Sequence, residues 1–188
     1  MTQGDGVSDS LFFYRYNESL TPSRGVKRRR KKMRIRRAKE KDMKRVMKLL
    51  NEVLEIHAKI RPDVFVSGST KYSEEELCEI FADDEKPVFV AVDDADEVLG
   101  YAFCVVRQLP EKPYIHPITM LYIDDLCVDE NARGQHIGQQ LYEHVVSYAR
   151  ELGCHSVMLN VWEGNDSAKA FYRNVGMKVK ETHMEVIL

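Results

Sequence analysis

No stretch of the chain stays apolar long enough to cross a membrane as a helix, because charged residues interrupt every hydrophobic run. The four cysteines (Cys78, Cys104, Cys127 and Cys154) contain no CxxC pair, so neither a zinc ribbon nor a disulfide scaffold is expected. The histidines have no HxxxH spacing, and no metal is expected. The opening MTQGDGVSDSLFFYRY lacks a basic stretch followed by an apolar one; a secretory leader is therefore not expected, and a reduced, cytoplasmic setting is. Neither GxxxxGK(S/T) nor GxGxxG occurs, so the two best-known nucleotide loops are missing. No internal repeat is present either. What is present is a chain of 188 residues, 44% hydrophobic and 31% charged, the size and composition of one globular domain with a true core.

The formal net charge of −2 is the sum of two unlike parts. Residues 1–37 hold 11 basic and 3 acidic side chains, and residues 38–188 hold 17 basic and 27 acidic, giving +8 and −10. Much of the positive charge is the run KRRRKK at 27–32. Like charges packed this densely repel each other and favour a solvated, disordered tail, although a basic run also suits a nucleic-acid patch. Residues 1–32 are therefore expected to be a tail and 33–188 the domain, with Met33 an alternative start. The acidic domain would repel phosphodiesters, so no nucleic-acid partner is expected.

From residue 33 the pattern becomes regular. Residues 34–37 suit a short strand. Met43, Val46, Met47, Leu50, Val53, Leu54 and His57 recur at helical spacing within 40–57. A link at 61–70 leads to a second helix at 73–81, with Ser73 as N-cap before three glutamates. PVFVAV (87–92) and 98–106 flank the turn DDAD as an antiparallel hairpin. Further strands are expected at 118–128 and 156–161, helices at 137–152 and 167–175, and two short strands in the last residues. This order predicts an α/β (α+β mixed) fold, with helices flanking one mixed sheet.

The strongest local signal follows the strand ITMLYIDDLCV. There the loop DENARGQHIG, with Arg133, Gly134 and Gly138, leads into a helix. Free N–H groups and the positive dipole end at a helix start suit an anionic phosphate. The stretch Arg133, Gly134, Gln135, His136, Ile137, Gly138 fits a Q/R-x-x-G-x-G/A pattern except at His136, and Asn165, Ala168, Phe171, Tyr172 and Gly176 fit a later N-x-x-A-x-x-F-Y pattern followed by Gly. Together, in this order, these motifs resemble the GNAT superfamily of acetyl-CoA-dependent N-acetyltransferases, closely over 118–177 and more loosely from Met33. The resemblance implies a single domain with a mostly antiparallel, twisted central sheet.

It further implies acetyl-CoA as cosubstrate, with its pyrophosphate on the backbone of Arg133, Gly134, Gln135, His136, Ile137, Gly138 and Gln139. The pantetheine arm would lie along Leu126, Cys127 and Val128, with the N–H of Leu126 or Val128 polarising the thioester. Asn165 would cap its helix and contact the pantetheine, and Tyr172 would protonate the departing thiolate, since a phenol stays protonated at neutral pH. His136 replaces a glycine, so its ring must turn outward or add a phosphate contact.

Two aspartates inside a strand, Asp124 and Asp125, call for a functional explanation, because aspartate is a poor strand former. Alternation is expected to send them to opposite faces. By resemblance to the polyamine-acetylating branch, Asp124 is the water-mediated base, which leaves Asp125 for structure or substrate charge. Cys127 has no neighbour in sequence to lower its pKa and is expected to pack. Trp162 and Glu163 flank the second motif as candidates for the acceptor pocket. The expected activity is acetyl transfer to a primary amine, by direct attack in a ternary complex. The acceptor is a small molecule or a peptide, with a cation favoured by the acidic domain; no membrane partner is expected and a homodimer is left open. A protein N-terminal acetyltransferase and a non-catalytic acyl-CoA-binding module are the alternatives.

Overall fold

The computed structural model describes residues 33–188. The expected tail with its basic run lies outside the described residues. Five strands form one sheet in the order β1 (Arg34–Arg37), β2 (Val88–Val92), β3 (Val98–Gln108), β4 (Thr119–Val128) and β5 (Ser156–Met158). The first four are antiparallel neighbours, and β5 runs parallel to β4. Helices α1 (Met43–Ile60) and α2 (Glu74–Ala82) cover one face and α3 (Ile137–Glu151) the other; α4 (Asp166–Asn174) follows β5. This is the mixed, mostly antiparallel sheet flanked by helices that the sequence predicts.

All five residues of β2 are buried, as befits a central strand covered on both faces. Val88, Val90 and Val92 pack with Tyr101, Phe103, Met43, Val46 and Leu50 beneath α1 and α2. Phe89 and Ala91 join Ala102, Cys104, Leu121, Ile123, Ile137 and Leu141 beneath α3. The start of α1 is pinned by charge: the Arg36 guanidinium donates to both carboxylate oxygens of buried Asp42, at 2.6 and 2.9 Å. In α2 the Ser73 hydroxyl accepts from Glu76 N–H at 3.2 Å, as expected of an N-cap, and the Glu76 carboxylate in turn accepts from Ser73 N–H at 2.7 Å, which makes the cap reciprocal.

Two irregularities shape β4. Phe103 pairs with Asp125 but Cys104 with Ile123, so Asp124 is an extra residue bulged out of the ladder. On its other side, β4 pairs with β5 only from Met120↔Ser156 to Tyr122↔Met158, and then runs on alone to Val128.

The sequence expectations need three corrections. A 3-10 turn at Glu40–Asp42 precedes α1. The fifth strand ends at Met158 rather than at 161. The two expected C-terminal strands are absent: residues 177–188 carry no regular structure, and Met184, Val186 and Leu188 are exposed. An alternating sequence forms a strand only where a neighbour takes its hydrogen bonds, and no strand pairs with this segment among the described residues.

Gly100 lies opposite Val128 in the pairing of β3 with β4. A Cβ there would stand 2.6 Å from the Cys127 carbonyl oxygen and 3.2 Å from the Val128 Cα. Both are backbone atoms that cannot swing aside. Gly100→Ala is expected to cost about 1–3 kcal/mol, the usual penalty for overpacking, read as a lower urea midpoint at unchanged slope.

Candidate active site

The free edge of β4 exposes backbone in a definite direction. Asp129 N–H donates to the Leu99 carbonyl of β3 at 2.9 Å. Peptide groups alternate along a strand, so the N–H groups of Val128 and Leu126 point the other way, toward the edge that β5 has left. These are the two donors that the sequence places beside a thioester.

At the end of β4 the chain turns sharply. Asp129 is buried; its carboxylate accepts from Asn131 N–H at 2.8 Å and pairs with Arg45 of α1. Buried Ala132 anchors a 3-10 turn at Glu130–Ala132. Arg133 is exposed and donates from Nε to the Val128 carbonyl at 3.3 Å. Gly134 has φ of 76°, and His136, immediately before α3, has φ of 60°. His136 thus adopts the left-handed backbone for which glycine is suited, with its side chain exposed. Gln135 and Gln139 are exposed, and Ile137 is buried in the core under α3.

At Gly138 the helix start faces Phe171 and Val128 at a distance that a Cβ would just fill. A Cβ there would be 3.4 Å from the Phe171 ring and 3.5 Å from Val128. The first turn of α3 contains no acidic residue. Unpaired N–H groups, a positive dipole end and Arg133 therefore converge just past the free edge, an arrangement that fits a pyrophosphate.

The bulge corrects the expectation that Asp124 and Asp125 face opposite ways. Both reach Lys71 from the α1–α2 connection: Lys71 Nζ is 2.8 Å from Asp124 Oδ2 and 3.7 Å from Asp125 Oδ2. Asp125 is the more enclosed, its side chain 9% exposed against 31% for Asp124. Burial pushes its carboxyl up to about 6, against the pull of Lys71. Burial also lowers the Lys71 ammonium pKa, but Asp125 and Asp124 outweigh this and hold it above its ordinary value.

Tyr101 and Cys127 lie opposite each other on the same face. The Tyr101 hydroxyl is fully buried without a hydrogen-bond partner, and burial, then the Asp125 charge, push its pKa well up. The Tyr172 phenol of α4 is likewise raised by burial and then by Asp125, so it stays protonated. Burial pushes the Cys127 thiol up to about 12, which leaves it a packing residue and no nucleophile at neutral pH.

The α4 side closes the region. Asn165 accepts from Ala168 N–H at 3.2 Å and so caps the helix, and Phe171 meets Tyr172 edge-on at 5.1 Å. Trp162 stands 5.4 Å from Phe65 and under the Arg61 guanidinium, also at 5.4 Å. It thereby joins the segment after β5 to the α1–α2 connection. Glu163 instead pairs with Lys169 of α4. Among the described residues, no three His, Cys, Asp or Glu side chains gather as metal ligands.

Sequence inspection missed Lys71, Tyr101 and Gly100. Only Gly100 carried a signal, as a glycine within an apolar strand; Lys71 reaches the carboxylates through a fold contact 53 residues away in sequence from Asp124.

The profile of the Acetyltransferase (GNAT) family matches residues 50–177. The peptidyl-lysine N-acetyltransferase YjaB of Salmonella typhimurium is 34% identical over 115 residues, which are 61% of this chain and 66% of that protein, just under two thirds of its length. A crystal structure of a mutant BH1408 protein from Bacillus halodurans is similar at a TM-score of 0.78 and 33% identity, covering 82% of this chain and 98% of that one. The aminoglycoside N-acetyltransferase AAC(6')-Iy in complex with CoA has the same fold at a TM-score of 0.63 and 15% identity, covering 87% of this chain and 99% of that one. The family profile runs from within α1 to just past α4 and takes in both motifs and both aspartates: the chain belongs to the Acetyltransferase (GNAT) family.

Proposed function

We propose that residues 33–188 transfer the acetyl group of acetyl-CoA to a primary amine by direct attack in a ternary complex. The observation that carries this is the surroundings of one strand edge. Free N–H groups at Leu126 and Val128, the anion-binding start of α3, and a pair of carboxylates all belong to β4 or the turn that follows it.

Acetyl-CoA supplies an acyl group already activated as a thioester. The α3 start and Arg133 hold its pyrophosphate, and Asn165 helps to seat the pantetheine. The N–H groups of Leu126 and Val128 stabilise the oxyanion that develops as the amine attacks. Asp124 and Asp125 receive the ammonium of the acceptor. Asp124 was expected as the base; the burial of Asp125 makes it the better matched of the two, because a base poised near neutrality transfers protons most effectively. Asp124, more exposed, orients the amine. Tyr172 gives its phenolic proton to the departing sulfur.

The acceptor carries a cationic amine, in keeping with the two carboxylates and the −10 charge of residues 38–188. A peptide lysine, as in the name of YjaB, and a small polyamine or amino sugar both meet this requirement. Thiol release from acetyl-CoA in the presence of lysine peptides, polyamines, aminoglycosides and N-terminal peptides tests the proposal. Release with at least one amine is expected. Tight CoA binding without any release would favour the acyl-CoA-binding alternative.

Two substitutions examine the roles. Wild-type kcat/KM should rise as the pH passes about 6, because only the ionised form of Asp125 accepts a proton. Asp125→Asn should lower kcat/KM by about 100-fold and abolish that rise. Tyr172→Phe should lower kcat and kcat/KM together, again by about 100-fold, with acetyl-CoA affinity unchanged in equilibrium titration, since the proton is needed only in the transition state.

A further inference from the structure

The acidic pair already holds an amine. Lys71 Nζ bridges Asp124 and Asp125 at 2.8 and 3.7 Å, and among the described residues no other side-chain cation pairs with either carboxylate. Lys71 belongs to a stretch without regular structure, with residues 67–71 exposed, so it presents its side chain as a flexible peptide would. The stretch is nonetheless fixed on both sides of the lysine. Glu55 accepts from the Ser67 hydroxyl and from Gly68 N–H, each at 2.6 Å. On the other side Tyr72 stacks on Phe103 at 6.0 Å and Ser73 caps α2. About a third of the Lys71 side chain (34%) remains exposed, and its Nζ lies 3.7 Å from the carboxylate of Asp125, the residue that precedes Leu126.

We propose that Lys71 is an acetyl acceptor in cis, modified on Nζ by this chain's own active site. The inference rests on the acetyl-transfer function proposed above. The Lys71 ammonium gives up a proton through the carboxylates to water. The Nζ lone pair then attacks the thioester carbon, a C–N bond forms, the C–S bond breaks and Tyr172 protonates the thiolate; the nitrogen sheds its second proton through the carboxylates to water, and Tyr172 regains one from water. The products are Nζ-acetyl-Lys71, coenzyme A and one proton. An amine held beside the reacting centre has a large effective concentration, so the reaction proceeds without an external acceptor. Acetylation also removes the positive charge that occupies the carboxylate pair.

The experiment incubates the full chain with acetyl-CoA alone, maps acetylated lysines by peptide mass spectrometry over time, and separately measures thiol release with the amine panel. Lys71 should be acetylated on the order of tenfold faster than any other lysine, at a rate independent of protein concentration. This preference should vanish when the chain is heat-unfolded, and Lys71→Arg should leave no acetylated site at 71. If external amines turn over while Lys71 is acetylated no faster than other lysines, cis-acetylation is overturned and acetyl transfer stands. A Lys71 rate that scales with protein concentration overturns the cis route. If neither Lys71 nor any external amine is acetylated, both proposals fall.

Discussion

After Tyr122 pairs with Met158, β4 continues to Val128 with no strand of the described residues on its β5 side, and the organisation of the site follows from that. Backbone N–H groups in a sheet are ordinarily satisfied by a neighbour, and leaving them without a partner away from water costs free energy. A strand that gives up its neighbour for six residues therefore has donors to offer a ligand. The turn at Asp129 and the burial of Ala132 and Ile137 fix the start of α3 at the end of that open edge. The open strand edge and the helix start thus belong to one continuous piece of chain.

The bulge at Asp124 is the second device, and it acts on charge. In a regular strand, adjacent aspartates would face opposite sides of the sheet. The extra residue brings both carboxylates to Lys71 and leaves Asp125 nearly enclosed. Burial of a carboxylate disfavours its charged form, and the Lys71 ammonium offsets only part of that penalty, so the Asp125 carboxyl remains up at about 6. Such an arrangement sacrifices stability in exchange for a group whose protonation changes near neutral pH. The unpartnered hydroxyl of Tyr101 in the same region is another local cost.

Periodicity made the helices and the first four strands legible, because their apolar faces match their burial: Val46 and Leu50 in α1, and Leu141 and Val145 in α3, are fully or almost fully buried. The turn into α3 was legible through Arg133, Gly134 and Gly138, since the residues that form it are consecutive. What depended on pairing was not legible. The ends of β5, the missing C-terminal strands and the bulge at Asp124 are set by which strand finds a neighbour, and alternation along one segment carries no information about that. Lys71 was hidden for a related reason: it meets the aspartates across a long sequence interval, and nothing in STKYSEEE marks it as different from a solvated surface lysine.

The division of charge along β4 explains how one acidic domain can serve two ligands of opposite sign. Val128 adjoins the turn whose exposed groups are Arg133 and the N–H groups of α3, whereas Asp125 and Asp124 lie three and four residues earlier. At about 3.3 Å per residue, the phosphate-facing turn and the carboxylates are separated by roughly 10–13 Å of strand, more than the Debye length of about 8 Å at physiological ionic strength. Water screens much of the repulsion between phosphates and carboxylates at that spacing. The attraction of each seat for its own ligand acts at contact distance and survives. Between the two lie Leu126 and its free N–H. In the proposed reaction the acyl group crosses from one ligand to the other at that point, where a donor would act on the carbonyl while both ligands are bound.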